Sequence, residues 1–371
     1  MEIIMLKNKL LSICCLGYNH ADFLGENLDA IAAINYPNIE VIVVDDGSSD
    51  GSVEILNKIS ENYPLPIKII AQKNTGNIGK NFNTALSYAS GEFVTFISLD
   101  DVFHAKIIKK EINILINNSE IAFVASNNIQ GINNDGFLTD SVPNLPTKNK
   151  NEVSFEDLLE YEYHDFGGFY IQGTIFRTDL IKKIGGFDED MTGDDIVLRT
   201  KLFRYLIEQN LIYKNQKNNF TWKCILLNDN NVFYRVHDNN IHKNTLRQLK
   251  IVTEYLERYW SDRPNPEMLI SWVEYYIRNH PEKIDDLFNL NNTTQTLKEN
   301  SRIKETIRKQ KDADLTFLEK IYRRRKLPDN FREIVIFNLF RIRYRLKNRI
   351  KKSKINTSTT HYTTLQKMVK L

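Results

Sequence analysis

Four apolar runs, LLSICCL, IEVIVVDD, IKIIAQ and EFVTFISLDD, recur within residues 10–101, separated by stretches whose apolar residues repeat with helical period. Uninterrupted runs rich in β-branched residues are strands buried on both faces, and helices between them make the strands parallel. This pattern constrains the fold more than any other feature. It predicts a doubly wound α/β domain with helices over about 21–34, 52–62, 81–89 and 103–118. In such sheets ligands bind beyond the carboxyl ends of the strands. The residues found there are Gly17-Tyr18-Asn19, Asp45-Asp46-Gly47 and Asp100-Asp101.

Further along, IAFVAS and FYIQGTIFR read as strands, DLIKKIGGF as a helix closing on Gly185-Gly186, and DDIVLRTKLFRYLIEQ as a longer helix. Residues 131–151, rich in Asn, Gly, Pro and Thr, read as a long surface loop near the strand ends. The α/β pattern ends near VFYRVHDNN, and the segments beyond Lys243 are helical almost to the end, broken at Pro264, Pro266, Pro281 and Pro328. The expected division is a domain over residues 1–242 and a helical C-terminal region over 243–371.

Charged residues make up 26% of the chain but the net charge is only +3, so its overall field does not argue for nucleic acid. Cys14, Cys15 and Cys224 lack zinc-ligand spacing and read as core filler in a reducing, cytoplasmic protein. Lys7 and Lys9 interrupt the first apolar run, which reads as a strand and not as a signal peptide. No stretch reaches the roughly 18–20 apolar residues of a membrane span. FREIVIFNLFRIRYRLKNRIKKSK reads as a basic amphipathic helix. Such a helix suits an anionic membrane surface on the inner face of the cell membrane. Packing on its own domain or on a second subunit is the competing reading.

Three acidic clusters could carry chemistry. Asp45 and Asp46, followed by Gly-Ser-Ser, fit a ligand-facing turn and equally an ordinary helix cap. Adjacent Asp100 and Asp101 repel one another and are most stable with a divalent cation or a donor network between them. Mg2+ or Mn2+ sharing its coordination with phosphate oxygens fits that pair, and a solvated acidic turn is the plain alternative. Asp194-Asp195, where the helical pattern of DDIVLRTKLFRYLIEQ begins, suits either caps or a general base for an acceptor hydroxyl. Asp188, Glu189 and Asp190 lie close by, and spacing alone does not choose among them.

Taken in order, SICCLGYNHADFLGENLDAI, YPNIEVIVVDDGSSDGS, NTGNIGKNFNTALSYASGEFVTFISLDD, IGGFDED with GDDIVLR, and FYRVHDNNIHKN resemble family 2 glycosyltransferases of the GT-A fold, over about residues 11–244. The resemblance implies a Rossmann-like, mostly parallel sheet flanked by helices, followed here by a C-terminal helical region. It implies that Tyr18 lies against a nucleotide base and that Asp46 accepts the N3 proton of uracil or thymine, so that the donor is a UDP-sugar, with a dTDP-sugar as second choice. Asn74, Gly76 and Asn83 fall beside the donor diphosphate. Asp100 matches the metal contact of the Asp-x-Asp motif, Asp101 supports it, and Ser98 replaces the first acid. Asp195 matches the base, Asp194 the acid before it on the acceptor side, and His237 a histidine that approaches the metal or diphosphate. The implied reaction is metal-dependent, inverting transfer of a hexosyl or N-acetylhexosaminyl group to a saccharide or lipid-linked acceptor in surface polysaccharide or glycoconjugate synthesis. The competing functions are a sugar nucleotidyltransferase and a binding protein that kept the fold and lost catalysis.

Overall fold

The computed structural model describes residues 9–139, 145–150, 152–237, 244–313, 322–326, 331–336 and 340–345. Contacts divide the chain into one unit ending at Thr306 and another beginning at Ile307.

The first unit opens with β1 (Leu11–Gly17), α1 (Leu24–Ala32), β2 (Ile39–Asp45), α2 (Ser52–Ser60), β3 (Ile67–Ala71), α3 (Ile78–Tyr88) and β4 (Phe93–Ser98). Successive side chains of a strand point to opposite faces, and here both faces are apolar. Ile13, Cys15, Val41, Val43 and Ile97 enter one core layer, while Cys14, Ile42, Val44, Val94 and Phe96 enter the other. The strands lie in the order β3-β2-β1-β4, all parallel. Gly17 pairs with Asp45, Asp45 with Ala71, and Leu16 with Ser98. Gln72, Asp46, Tyr18 and Leu99 therefore leave the sheet side by side, at the switch between β1 and β4 where such sheets bind ligands.

The chain continues through β5 (Val102–Phe103), α4 (Ala105–Asn117), β6 (Ile121–Ile132), β7 (Leu138–Thr139), α5 (Phe155–His164), β8 (Ile175–Arg177), α6 (Thr178–Lys183), α7 (Asp195–Asn215) and β9 (Lys223–Arg235). These strands extend the sheet as β4-β8-β6-β9-β5, with β7 paired to β6. Among them only the β6–β9 pair is parallel; β8 runs antiparallel to β4 and β6, β5 to β9 and β7 to β6. The sheet is thus parallel through β3-β2-β1-β4 and mixed beyond it, with helices flanking it as the expected α/β fold requires. FYIQGTIFR is a strand only over its last three residues, because Gly173 at φ +78° turns the chain against Asn231, leaving no room for a side chain.

Beyond this sheet come α8 (Thr245–Tyr259), α9 (Glu267–Asn279), a 3-10 turn (Pro281–Lys283), α10 (Ile284–Phe288), α11 (Asn292–Leu297) and α12 (Ser301–Ala313). The sequence divides the chain at 242/243, whereas contacts keep α8 to α11 in the first unit. The reason lies in α8, which buries Leu249, Val252, Tyr255 and Leu256 and carries Arg258, whose guanidinium binds both Asp188 and Asp190.

In the second unit β10 (Tyr322–Lys326), β11 (Phe331–Ile336) and β12 (Phe340–Arg345) form an antiparallel sheet in the order β10-β11-β12. This corrects the helical reading of FREIVI and FRIRYR, in which β-branched and aromatic residues favour strand over helix. The rest of the basic segment, residues 337–339 and 346–354, lies outside the described residues, as do MEIIMLKN and part of the 131–151 loop. Among the described residues no helix is long and apolar enough to cross a membrane.

Candidate active site

The turn after β2 is fixed by its two acids in different ways. Asp45 accepts the backbone N–H groups of Gly47 and Ser48 and the Ser48 hydroxyl, so it shapes its own turn. Asp46, 5% exposed, accepts from the Thr75 N–H at 2.8 Å, the Gly76 N–H at 3.1 Å and the Gln72 amide at 3.1 Å. Asn81 in turn accepts from both Gln72 and Thr75. With the Thr75 hydroxyl at 3.4 Å these donors occupy about four acceptor sites of the carboxylate and anchor the 72–76 loop, so a further donor takes the place of one of them. Alongside, Tyr18 is 49% exposed, its ring open at the end of β1. The loop behind it is laced to the β2 turn: Asn19 and Ser49, His20 and Ser52, and Ala21 and Asp50 are all hydrogen-bonded.

Asp100 and Asp101 sit at the switch point, both buried. Asp100 Oδ2 lies 3.0 Å from His237 Nε2 and 3.8 Å from His20 Nε2. Burial presses the Asp100 carboxyl upward, but the hydrogen bonds from His237 and Ser98 and the nearby His20 outweigh it and hold it below its ordinary value. Burial, reinforced by the charge of Asp100, pushes Asp101 well up. Asp101 Oδ1 accepts the Arg235 N–H at 2.8 Å. The remaining oxygens, Asp100 Oδ1 and Asp101 Oδ2, are buried without a hydrogen-bond partner. Buried carboxylate oxygens left in this state favour a cation. Among the described residues no group of three or more His, Cys, Asp or Glu side chains is arranged to hold a metal by itself. A hard cation bound by this pair would need other oxygens to complete its shell.

Behind the pair, fully buried Arg235 donates to the Asp100, Asn133 and Asn134 carbonyls and to Glu26. Its guanidinium lies over the Phe23 ring, on which His237 also stacks. This framework sets the height of the two acids and of the histidine together.

Asp194 and Asp195 stand at the head of α7. Burial, the charge of Asp194 and the more distant Glu162 raise the Asp195 carboxyl to about 7, against the pull of Arg199 and of the Ile171 N–H. Its side chain nevertheless keeps 30% of its surface open, so it can meet a substrate. Burial also raises Asp194. Two stacked tyrosines, Tyr170 and Tyr234, join this corner to the Asp100-Asp101 pair. Burial raises the phenol of Tyr234, and Asp101, Asp100, Tyr170 and Asp195 add to the rise, so both acidic corners act on the same ring.

The neighbouring acids of GFDED are otherwise engaged. Asp188 accepts from Lys201, Arg258 and Tyr259, and Asp190 from Arg258. Asn83 spends its amide on the Phe187 backbone and Glu189, bracing that same turn. The sequence reading missed His20, Glu162, Tyr170, Arg199, Tyr234 and Arg235. Four of them sit within quoted motifs, His20 in GYNHADF, Arg199 in GDDIVLR, and Tyr234 and Arg235 in FYRVHDNN, beside the residues that were chosen.

Residues 12–185 match the family described as Glycosyl transferase family 2. The chain is 31% identical over 222 residues to Glycosyltransferase GlyA of Streptococcus pneumoniae, covering 57% of this chain and 30% of that protein. It is 30% identical over 216 residues to the cholesterol galactosyltransferase of Borreliella burgdorferi, covering 55% of this chain and 57% of that one. It thus spans well under two thirds of the length of either relative. In architecture it resembles residues 1–349 of S. aureus TarS, solved in complex with UDP-GlcNAc, with a TM-score of 0.51 at 17% identity over 91% of this chain and 100% of that one. At that identity the likeness establishes the fold, which is of the GT-A type.

Proposed function

The chain belongs to glycosyl transferase family 2 through residues 12–185, and from that premise we propose that it moves a hexosyl or N-acetylhexosaminyl group from a UDP-sugar to a hydroxyl of a saccharide or lipid-linked acceptor, with inversion. The observation that carries the reading is the meeting of two acidic corners on one phenol: the buried Asp100-Asp101 pair and Asp195 all act on Tyr234, which stacks on Tyr170.

In this reading Tyr18 covers the uracil ring and Asp46 accepts its N3 proton, while the diphosphate lies above Asp100 and Asp101. Those two acids, with His237 holding Asp100, would carry Mn2+ or Mg2+, which neutralises charge developing on the departing diphosphate. The unpartnered oxygens of the pair support that fit. Asp195 takes the proton of the acceptor hydroxyl as its oxygen attacks the anomeric carbon. The bond from that carbon to the diphosphate oxygen breaks with its electron pair, and UDP leaves from the opposite face. Asp194 flanks the acceptor side. A carboxyl raised to about 7 suits the base, since it is substantially ionised at neutral pH and still basic enough to take a proton. The TarS structure with UDP-GlcNAc supports a uridine donor by analogy of fold.

Incubating the protein with Mn2+ and a panel of UDP-sugars and assaying free UDP tests the proposal. Release with one donor, stimulated by an added saccharide or lipid-linked acceptor, is the expected result. No release from any nucleotide sugar, together with no nucleotide binding, would end it.

A further inference from the structure

Resting on the transferase reading for the role of Asp195, we propose that Arg199, clamped by Glu162, is a positioning residue for that base: its guanidinium bridges two acids and fixes the Asp195 carboxylate at the mouth of the site. Glu162, on α5, is fully buried, and its carboxylate takes the Arg199 Nε–H at 2.7 Å and an Nη2–H at 3.1 Å. The third corner of the guanidinium, Nη1, lies 3.5 Å from Asp195 Oδ2, four residues back along α7. A planar guanidinium can serve two carboxylates at once in a way that a lysine ammonium cannot.

The surrounding chain is built for this group. The C-terminal turn of α5 passes so close that a Cβ on Gly167, which sits at φ +146°, would lie 2.6 Å from Arg199 Nη2. The Gly168 N–H supports Glu162, and the Phe169 ring lies 5.7 Å from the guanidinium. A surface ion pair has no need of such a close backbone wrap. Residues 166–169 lead directly to Tyr170 and Ile171, which face Asp195. The clamp thus ties the base and its tyrosine to one rigid corner.

The groups acting on Asp195 are Asp194 and Arg199, Glu162 on the shared guanidinium, the phenols of Tyr170 and Tyr234, and Arg247 of α8, which acts on Asp194. Glu162 removal and Arg199 shortening should therefore move Asp195 in opposite directions. In Glu162→Gln the positive charge falls wholly on Asp195. In Arg199→Lys a single ammonium stays with the buried Glu162 and leaves Asp195 without its partner.

Carboxyl carbon NMR of the full-length protein labelled at aspartate, with Asp195 assigned through Asp195→Asn, reads this without turnover. Glu162→Gln is expected to lower the Asp195 midpoint by about one pH unit and Arg199→Lys to raise it by a similar amount. The acid limb of the rate profile should follow both. Midpoints unchanged in both variants, or moved the same way, overturn the proposal; if Glu162→Gln does not fold, the sign in Arg199→Lys decides it. Opposed shifts without transfer to any acceptor would leave the clamp standing and remove the transferase reading instead.

Discussion

His237 Nε2 lies 3.0 Å from Asp100 Oδ2, although 137 residues separate them in the chain. The contact exists because β5 pairs with β9, bringing the end of β9 to the strand end that carries Asp100. It ties the end of β9 to the Asp100-Asp101 pair. Asp100→Ala removes a carboxylate that in the proposed scheme would face the cation, and is expected to weaken Mn2+-dependent UDP binding at least about tenfold. His237→Ala should cost a similar factor at the lower end of the 10–100-fold range seen when a ligand's supporting partner is lost. Calorimetric titration of UDP with and without Mn2+ checks both. Equal UDP affinity with and without Mn2+ in the wild-type protein would remove the metal from the scheme.

Asp195→Asn keeps the shape of the side chain and takes away its basicity. Transfer should fall about 10²–10⁴-fold. UDP affinity should stay within about threefold, because the proposed scheme gives Asp195 a contact with the acceptor hydroxyl and none with the nucleotide. Near-normal turnover in this variant would return the search for a base to Asp194.

The raised Asp195 carboxyl fixes a pH window. A base must be ionised to act, so kcat/KM should climb with pH and level off above about 7. For stability the sign is reversed. A carboxyl whose folded value is raised favours the protonated form in the fold, so stability present below about 4 declines as pH rises through about 7. Asp195→Asn is therefore expected to melt a few degrees higher than wild type at pH 8 and at the same temperature near pH 4. Thermal scans at the two pH values separate these outcomes.

Much of this site was legible because strand ends announce themselves. Continuous apolar runs stop at Gly17, Asp45 and Ser98, and the polar residues just past them, Tyr18, Asp46 and Asp100, are the ones the sheet lines up. What stayed hidden depends on contacts between distant segments. Nothing near Glu162 in EDLLEYEYH marks it as the partner of Arg199, since a Glu in a helix is ordinarily solvated. Asn83 fell where the diphosphate stretch should lie, yet its amide braces the Phe187–Glu189 turn. The strands after residue 321 were hidden for a different reason. Alternating apolar and basic residues in short segments fit an amphipathic helix and a strand about equally until their pairing is known.

Asn83→Ala tests that bracing role against a direct one in donor binding. The amide holds the Phe187 N–H and carbonyl at 2.9 Å each, and Glu189 as well. Its loss should lower stability by about 1–3 kcal/mol through unsatisfied groups at the turn. UDP binding in Mn2+ should change little. A UDP affinity that drops tenfold while the melting temperature holds would give Asn83 back to the diphosphate.

Glu111 supplies a stability prediction away from the site. It is fully buried on α4, one oxygen accepting the Asn231 amide at 3.0 Å and the other without a partner. Burial pushes its carboxyl well up and Asp229 adds to this, against the hydrogen bond from Asn231 and the charge of Lys110. The folded chain therefore keeps Glu111 protonated into a range where the unfolded chain, near about 4.3, has already lost that proton. Its stabilising share is full below that value and declines as pH rises. Glu111→Gln is neutral at every pH and keeps an oxygen for Asn231. It is expected to leave stability unchanged near pH 4 and to raise it by about 1–3 kcal/mol at pH 7.5, read from urea unfolding midpoints. A variant less stable than wild type at pH 7.5 would show that the carboxylate is paired by a group that only an anion can hold.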